Sequence, residues 1–360
     1  MALFEWIGVD RRIYDSELRD FLPPEIFDIH SHLWLESFWT SPKDADFRAV
    51  SWPYLVARDN SREALAESYQ LMFPGKRVVP MVFANPEPSD DIALHNGYVL
   101  KSAEANGCPA LYFSHPSQSA SEVERNVLEG GFLGLKSYLN LAPARIPEPD
   151  IRIPDFFPPE HLELMNRHGW IMMLHIPRPG RLKDPVNLSD IAWIKRTYPR
   201  IRLILAHVGR AYCMEDLGGA LEALRPFHDL LFDFSANCNP DVIEALLGEV
   251  GANRVLFGSD LPITRMRMRR VCEGGRYVNL VPPGLYGDVS GDANMREVSA
   301  AEGEKLTFFL YEEVLAMKAA LKRLGWGAKE AERVFAGNAR DLLHAVQRET
   351  YQTPGRWEKP

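Results

Sequence analysis

Eight times along its 360 residues this chain carries a short apolar run rich in β-branched and aromatic residues, and that count constrains the fold more than any other feature. The runs are IFDIH (26–30), RVVPMVFA (77–84), ALYFS (110–114), FLGLKSYL (132–139), WIMMLHI (170–176), IRLILAH (201–207), LLFDFSA (230–236) and RVLFGSD (254–260). Most are continuous rather than alternating, the pattern of parallel strands covered by helices on one side and packed side chains on the other. Amphipathic stretches lie between several of them, at 61–72, 122–130, 158–169 and 239–250, the last opening on Asn239 and Pro240 as cap and first turn. A doubly wound open sheet shares this local signature, but eight strands is the number of the (β/α)8 TIM barrel, which is the expected fold. Length alone suggests about two domains of roughly 150 residues, yet single barrels run from about 200 to over 400. With no internal repeat beyond this rhythm and no low-complexity linker, a single domain over residues 1–360 is the simpler expectation.

Three segments exceed the minimal unit and are expected as long loops after strands 1, 4 and 8. The first, from about Leu33 to Asn60, holds Trp34, Phe38, Trp39, Trp52 and Tyr54; the second, Pro143 to Pro159, is proline-rich; the third runs from about Pro262 to Glu302. All follow strands, so in a barrel they sit on the catalytic face. A helical pattern returns at 304–325, and a last helix is expected after Asn338, with that residue as its cap.

The net charge of -8 and the lack of a dense basic run argue against a nucleic-acid partner. No segment approaches the ~18 consecutive apolar residues of a membrane span, and the start MALFEWIGVDRR is not a leader pattern. Cys108, Cys213, Cys238 and Cys272 have no CxxC spacing, so neither a disulfide framework nor a thiolate zinc site is expected. A cytoplasmic enzyme with reduced thiols and a small-molecule substrate fits best; homo-oligomerisation is left open by the sequence.

His30 and His32 form an HxH pair at the end of the first run. Alone this is weak, but residues i and i+2 of a strand share a face, so both imidazoles can project into a barrel mouth. His175, His207 and Asp260 end three further runs, and catalytic residues of such barrels come from the C-terminal ends of several strands. Histidine and aspartate suit zinc or a similar divalent ion, which acidifies a bound water and polarises a substrate carbonyl.

The combination FDIHSH, MMLHIP, LILAHVG, LFGSDLP and a closing FAGNARDLL resembles the amidohydrolase superfamily, specifically the amidohydrolase-related branch. That branch holds metal-dependent hydrolases together with aminocarboxymuconate-semialdehyde and resorcylate decarboxylases. The resemblance spans about Phe27 to Leu343 and implies that His30, His32, His175 and Asp260 bind the metal. It further implies that Asp260 accepts a proton and that His207 positions water or stabilises developing charge. The preferred activity is hydrolysis of an amide, lactone or ester-type bond of a small anionic substrate; the alternative is non-oxidative decarboxylation of an aromatic or unsaturated acid, and a non-catalytic binding barrel ranks third.

Lys136 lies in the fourth run, where some superfamily members carry a carboxylated lysine between two metals; a lysine that binds a substrate carboxylate or pairs with an acid, and a mononuclear site, are preferred. Asp28 could orient a ligand from behind, and His115 could reach the site from its loop. Arg178, Arg181, Arg210, Arg265 and Arg267 follow strands and are candidates for fixing an anionic substrate, with Trp34, Phe38 and Trp39 as an apolar wall.

Overall fold

Each of the eight apolar runs contains a strand in the computed structural model, which describes residues 4–40 and 53–358. They are β1 Glu25–His32, β2 Arg77–Phe83, β3 Tyr112–Phe113, β4 Gly134–Ser137, β5 Ile171–Leu174, β6 Arg202–Leu205, β7 Leu231–Asp233 and β8 Val255–Leu256. β1 pairs with β2, and β3 through β8 pair in sequence order, all in parallel. Two seams join these sheets. At one, Val82 bridges Ala110 and the Leu111 amide donates to the Val82 carbonyl at 3.0 Å. At the other, Ser31 bridges Leu261 and the His32 amide donates to the Leu261 carbonyl at 2.8 Å. The strands therefore close in the order expected of a (β/α)8 barrel.

The continuous apolar runs are explained by burial on both faces: every residue of β5 is buried, as is every residue of β4, including the charged Lys136. Gly134 starts β4 at φ +156°, and a Cβ there would overlap the Ile171 backbone of β5, so only glycine lets these two strands approach. Outer helices begin where their caps lie. The Ser61 side chain accepts from the Ala64 amide to start the helix Arg62–Met72, and Asn239 accepts from the Asp241 and Val242 amides to start Pro240–Val250.

Three expectations need correction. Asn338 is not a cap: its side chain donates to the Ala252 and Val255 carbonyls at 2.7 and 2.8 Å, and the chain is already helical from Ala328 through a π-helical turn, Arg333–Gly337. The segment after β8 is more than a loop, because β9 Arg269–Glu273, β10 Arg276–Val281 and β11 Met295–Glu297 form a three-stranded sheet in it. Finally, Cys213 and Cys272 form a disulfide, leaving Cys108 and Cys238 as free thiols. The folded chain brings together two cysteines 59 residues apart, and the cytoplasmic expectation loses the support it drew from unpaired thiols. Trp52 lies outside the described residues. Among those described, no helix is long and apolar enough to cross a membrane.

Candidate metal centre

The C-terminal ends of the strands surround a cavity of about 230 Å³ that takes in His30, His32, His175, His207 and Asp260. The tightest group is His30, His207 and Asp260, whose ligand atoms all lie within 4.8 Å of one another. His32 joins through Asp260, with Nε2 3.2 Å from Oδ1; His30 Nε2 is 3.5 Å from the same oxygen. His175 lines the cavity beside His207, with ring centroids 5.4 Å apart, and packs on Tyr138 at 4.6 Å.

Groups behind these residues decide which nitrogen faces the cavity. His30 Nδ1 lies 2.9 Å from the Asp233 carboxylate, an acceptor, so Nδ1 carries the proton and Nε2 presents a lone pair. His207 Nδ1 faces the Ser235 carbonyl at 3.1 Å, which assigns its tautomer in the same way. Asp233 also accepts from the His207 amide at 2.8 Å, so one buried carboxylate at the end of β7 organises two of the histidines. Asp28 acts on the backbone: it accepts from the amides of His30 and Ser259 and from the Tyr69 hydroxyl, tying β1 to the segment after β8.

His207, Val208, Gly209 and Arg210 all have positive φ, between 53° and 59°, forming one left-handed turn immediately after β6. A β-branched residue is an outlier there, and the left-handed conformation costs about 1–2 kcal/mol per non-glycine residue. Strain of this kind collects at functional sites. Here it brings His207 and Arg210 to the cavity wall.

Electrostatics favour neutral imidazoles beside a carboxylate. Burial pushes His30 down to about 4 despite the pull of Asp233, and burial also lowers His32 and His175. Burial alone would raise Asp260, but the neighbouring histidines outweigh it and hold the carboxyl below its usual range. Neutral imidazole and ionised carboxylate are the ligating forms. The Nδ1 atoms of His32 and His175 are buried without a hydrogen-bond partner. This donor set fits a divalent cation.

The amidohydrolase family model matches residues 27–345, and those bounds enclose every strand of the barrel from Phe27 in β1 onward. The chain belongs to the amidohydrolase family. No curated protein matches the sequence significantly. Among solved structures, amidohydrolase 2 from Bifidobacterium longum subsp. infantis is similar at 16% identity and TM-score 0.52, covering 89% of this chain and 99% of that one. An amidohydrolase from Burkholderia multivorans with bound zinc has 12% identity and TM-score 0.53, covering 88% and 98%. 4-Oxalomesaconate hydratase from Rhodopseudomonas palustris has 16% identity and TM-score 0.50, covering 90% and 97%. At these identities the likeness shows the shared fold.

Within this amidohydrolase, Lys136 and Arg210 line the cavity, as the sequence suggested they could. The fully buried Lys136 ammonium lies 5.4 Å from the Phe83 ring, and burial lowers it to about 8 against the pull of Asp233 and Asp260. Other candidates lie elsewhere. Arg178 pairs with Asp184 at 3.2 Å, Arg181 with Asp216 at 2.7 Å and Arg267 with Asp10 at 2.7 Å. Arg265 is buried near Phe4, outside the cavity lining. Trp34 stands behind His32 and donates from its indole to the Ala57 carbonyl. Phe38 packs on His95 and Tyr98, Trp39 packs on Tyr54, and His115 engages Ser117 in its own loop. Cavity residues the sequence did not single out include Tyr138, Tyr212, Arg270 and Tyr277.

Proposed function

We propose that this amidohydrolase is a metal-dependent hydrolase that cleaves an amide, lactone or ester-type bond of a small anionic substrate. His30, His32, His175 and Asp260 would hold one divalent cation, with zinc the expected ion. The observation that carries the reading is the position of the Asp260 carboxylate, within 3.5 Å of Nε2 of both His30 and His32 in a buried cavity. A bound cation would acidify a water molecule and polarise the scissile carbonyl. Asp260 would take the proton from the attacking water, because a carboxylate oxygen is the accepting group nearest the two imidazoles. His207, its Nδ1 held by Ser235 behind it, faces the same space and would orient that water. The compact placement of His207 with His30 and Asp260 makes it a competitor of His175 for the fourth ligand position.

The test is a paired screen of the metal-loaded enzyme. Lactones, amides and esters bearing a carboxylate are assayed for hydrolysis, and aromatic and unsaturated carboxylic acids for release of CO₂. Hydrolysis that disappears on metal removal and returns with zinc is expected. Metal-dependent CO₂ release without hydrolysis of any member would overturn the reaction type and favour the decarboxylase alternative.

A further inference from the structure

Glu313 is the one charged residue on the buried face of the helix Phe309–Arg323, and it has no exposed surface. Its Oε2 accepts from the Ala236 amide at 2.7 Å, while Oε1 is buried without a hydrogen-bond partner. Burial, with Asp28, Asp260 and Asp233 adding to it, holds the carboxyl well above the usual carboxylate range. The uncharged acid is therefore the favoured form, with Oε2 as the accepting oxygen. A polar group buried for a single backbone contact is costly, so the purpose of the residue lies in what that contact holds.

The Ala236 amide and the Ser235 carbonyl belong to one trans peptide, whose N–H and C=O point to opposite sides. On the far side the carbonyl faces His207 Nδ1 at 3.1 Å. The Glu313 carboxyl, the Ser235–Ala236 peptide and the His207 imidazole thus form one row that ends at the cavity. The peptide lies where the chain leaves β7 with Ala236 at φ +53°, a conformation that residues with a Cβ adopt at a cost. Beyond it, the Ala236 carbonyl accepts from Arg270 Nη1 at 2.6 Å. If Glu313 lost its acceptor, the Ala236 N–H would be a buried donor without a partner. The easiest relief is rotation of the peptide, which carries the Ser235 carbonyl away from His207. The Ser235 hydroxyl also lies 2.9 Å from Nδ1, and it gives its own hydrogen to Asp233.

We propose that Glu313 is a positioning residue for His207: by holding the Ser235–Ala236 peptide from behind, it aims the Ser235 carbonyl at Nδ1 and so leaves Nε2 to face the cavity. Its importance for turnover rests on the reading of His207 as the group that orients the attacking water. Glu313 itself never touches the substrate.

The test reads the imidazole directly, by histidine-selective ¹⁵N NMR of the zinc-loaded protein and again after chelation, so that a metal on the ring cannot dictate the result. Spectra are taken at pH about 8.5, above the usual titration range of imidazole. His207→Asn identifies the signals, since asparagine tolerates the left-handed backbone there. Metal-free wild-type protein should carry the His207 hydrogen on Nδ1; a hydrogen on Nε2 would overturn the proposal without any variant. Ser235→Ala removes the hydroxyl and should keep the hydrogen on Nδ1 through the carbonyl alone. Adding Glu313→Met should then move the tautomer ratio toward Nε2–H by about threefold to tenfold, the worth of one hydrogen bond. Glu313→Gln in the same background keeps an acceptor for the Ala236 amide and should restore the ratio. An unchanged ratio in the methionine variant, or equal shifts for methionine and glutamine, would overturn the proposal. So would a full shift in Ser235→Ala alone, which would assign the tautomer to the hydroxyl. The ratio does not depend on the reaction catalysed, so failure to find hydrolysis bears on the proposed function instead.

Discussion

Asp260→Asn is expected to lower turnover by about 10²–10⁴-fold, the range of general acid–base catalysis, with a smaller loss of bound metal. The substitution is a clean probe because Asp260 has φ +54°, a conformation that asparagine tolerates as well as aspartate. The backbone amide, which donates to the His30 carbonyl at 2.8 Å, is therefore retained. What changes is the charge and one acceptor. The amide cannot take up a proton near neutral pH, and its NH₂ group would face the His30 and His32 imidazoles that now approach the carboxylate. Measuring kcat together with metal content separates the two effects. Near-normal turnover with metal bound would move the accepting role to another group, with His207 Nε2 the next in line.

A second large effect is expected from Gly258→Ala, which touches the site without altering any of its polar groups. A Cβ at Gly258 would sit 2.6 Å from the His30 Cβ and 3.3 Å from the Ser235 Cβ. Neither neighbour is the free end of a flexible chain, since His30 lies in the closed barrel and Ser235 hydrogen-bonds Asp233 and His207. Relief must come from displacing the strand that carries His30. Overpacking of this kind costs about 1–3 kcal/mol. The same shift would pull the His30 ring from Asp233, and disturbing such supporting contacts weakens metal binding by about 10–100-fold. Gly248→Ala is the control: nothing lies within 4 Å of a Cβ there, in the last turn of the helix Pro240–Val250. A melting curve and a chelator titration on both variants check the expectation. Wild-type metal affinity in Gly258→Ala would contradict the tight coupling of the β8 end to His30.

The sequence exposed those parts of the barrel and cavity that obey a period or interrupt one. Eight apolar runs each hold a strand because both faces of a barrel strand are buried. His30 and His32 share a wall because the strand period is two, and His175, His207 and Asp260 are visible as polar residues at or next to the ends of mainly apolar runs. Asp233 escaped notice because it lies inside such a run; an aspartate at 0% exposure there demands a partner, which only the fold reveals as His30. Arg270 and Tyr277 sit in an insertion with no helical or barrel rhythm, and the pairing of Cys213 with Cys272 depends on how that insertion folds back. The loop arginines show the opposite limit. Arg178, Arg210 and Arg265 look alike in sequence, yet only Arg210 reaches the cavity, turned there by four consecutive positive φ angles that no local pattern announced.

The central claim is that the strand ends build a site for one divalent cation, and metal analysis of the purified protein tests it most directly. Protein prepared without chelators should carry about one divalent ion per chain, zinc foremost, and His175→Ala prepared in parallel should lose it while keeping its fold by circular dichroism. Wild-type protein that contains no stoichiometric metal, and takes up none when zinc is supplied, would contradict the account.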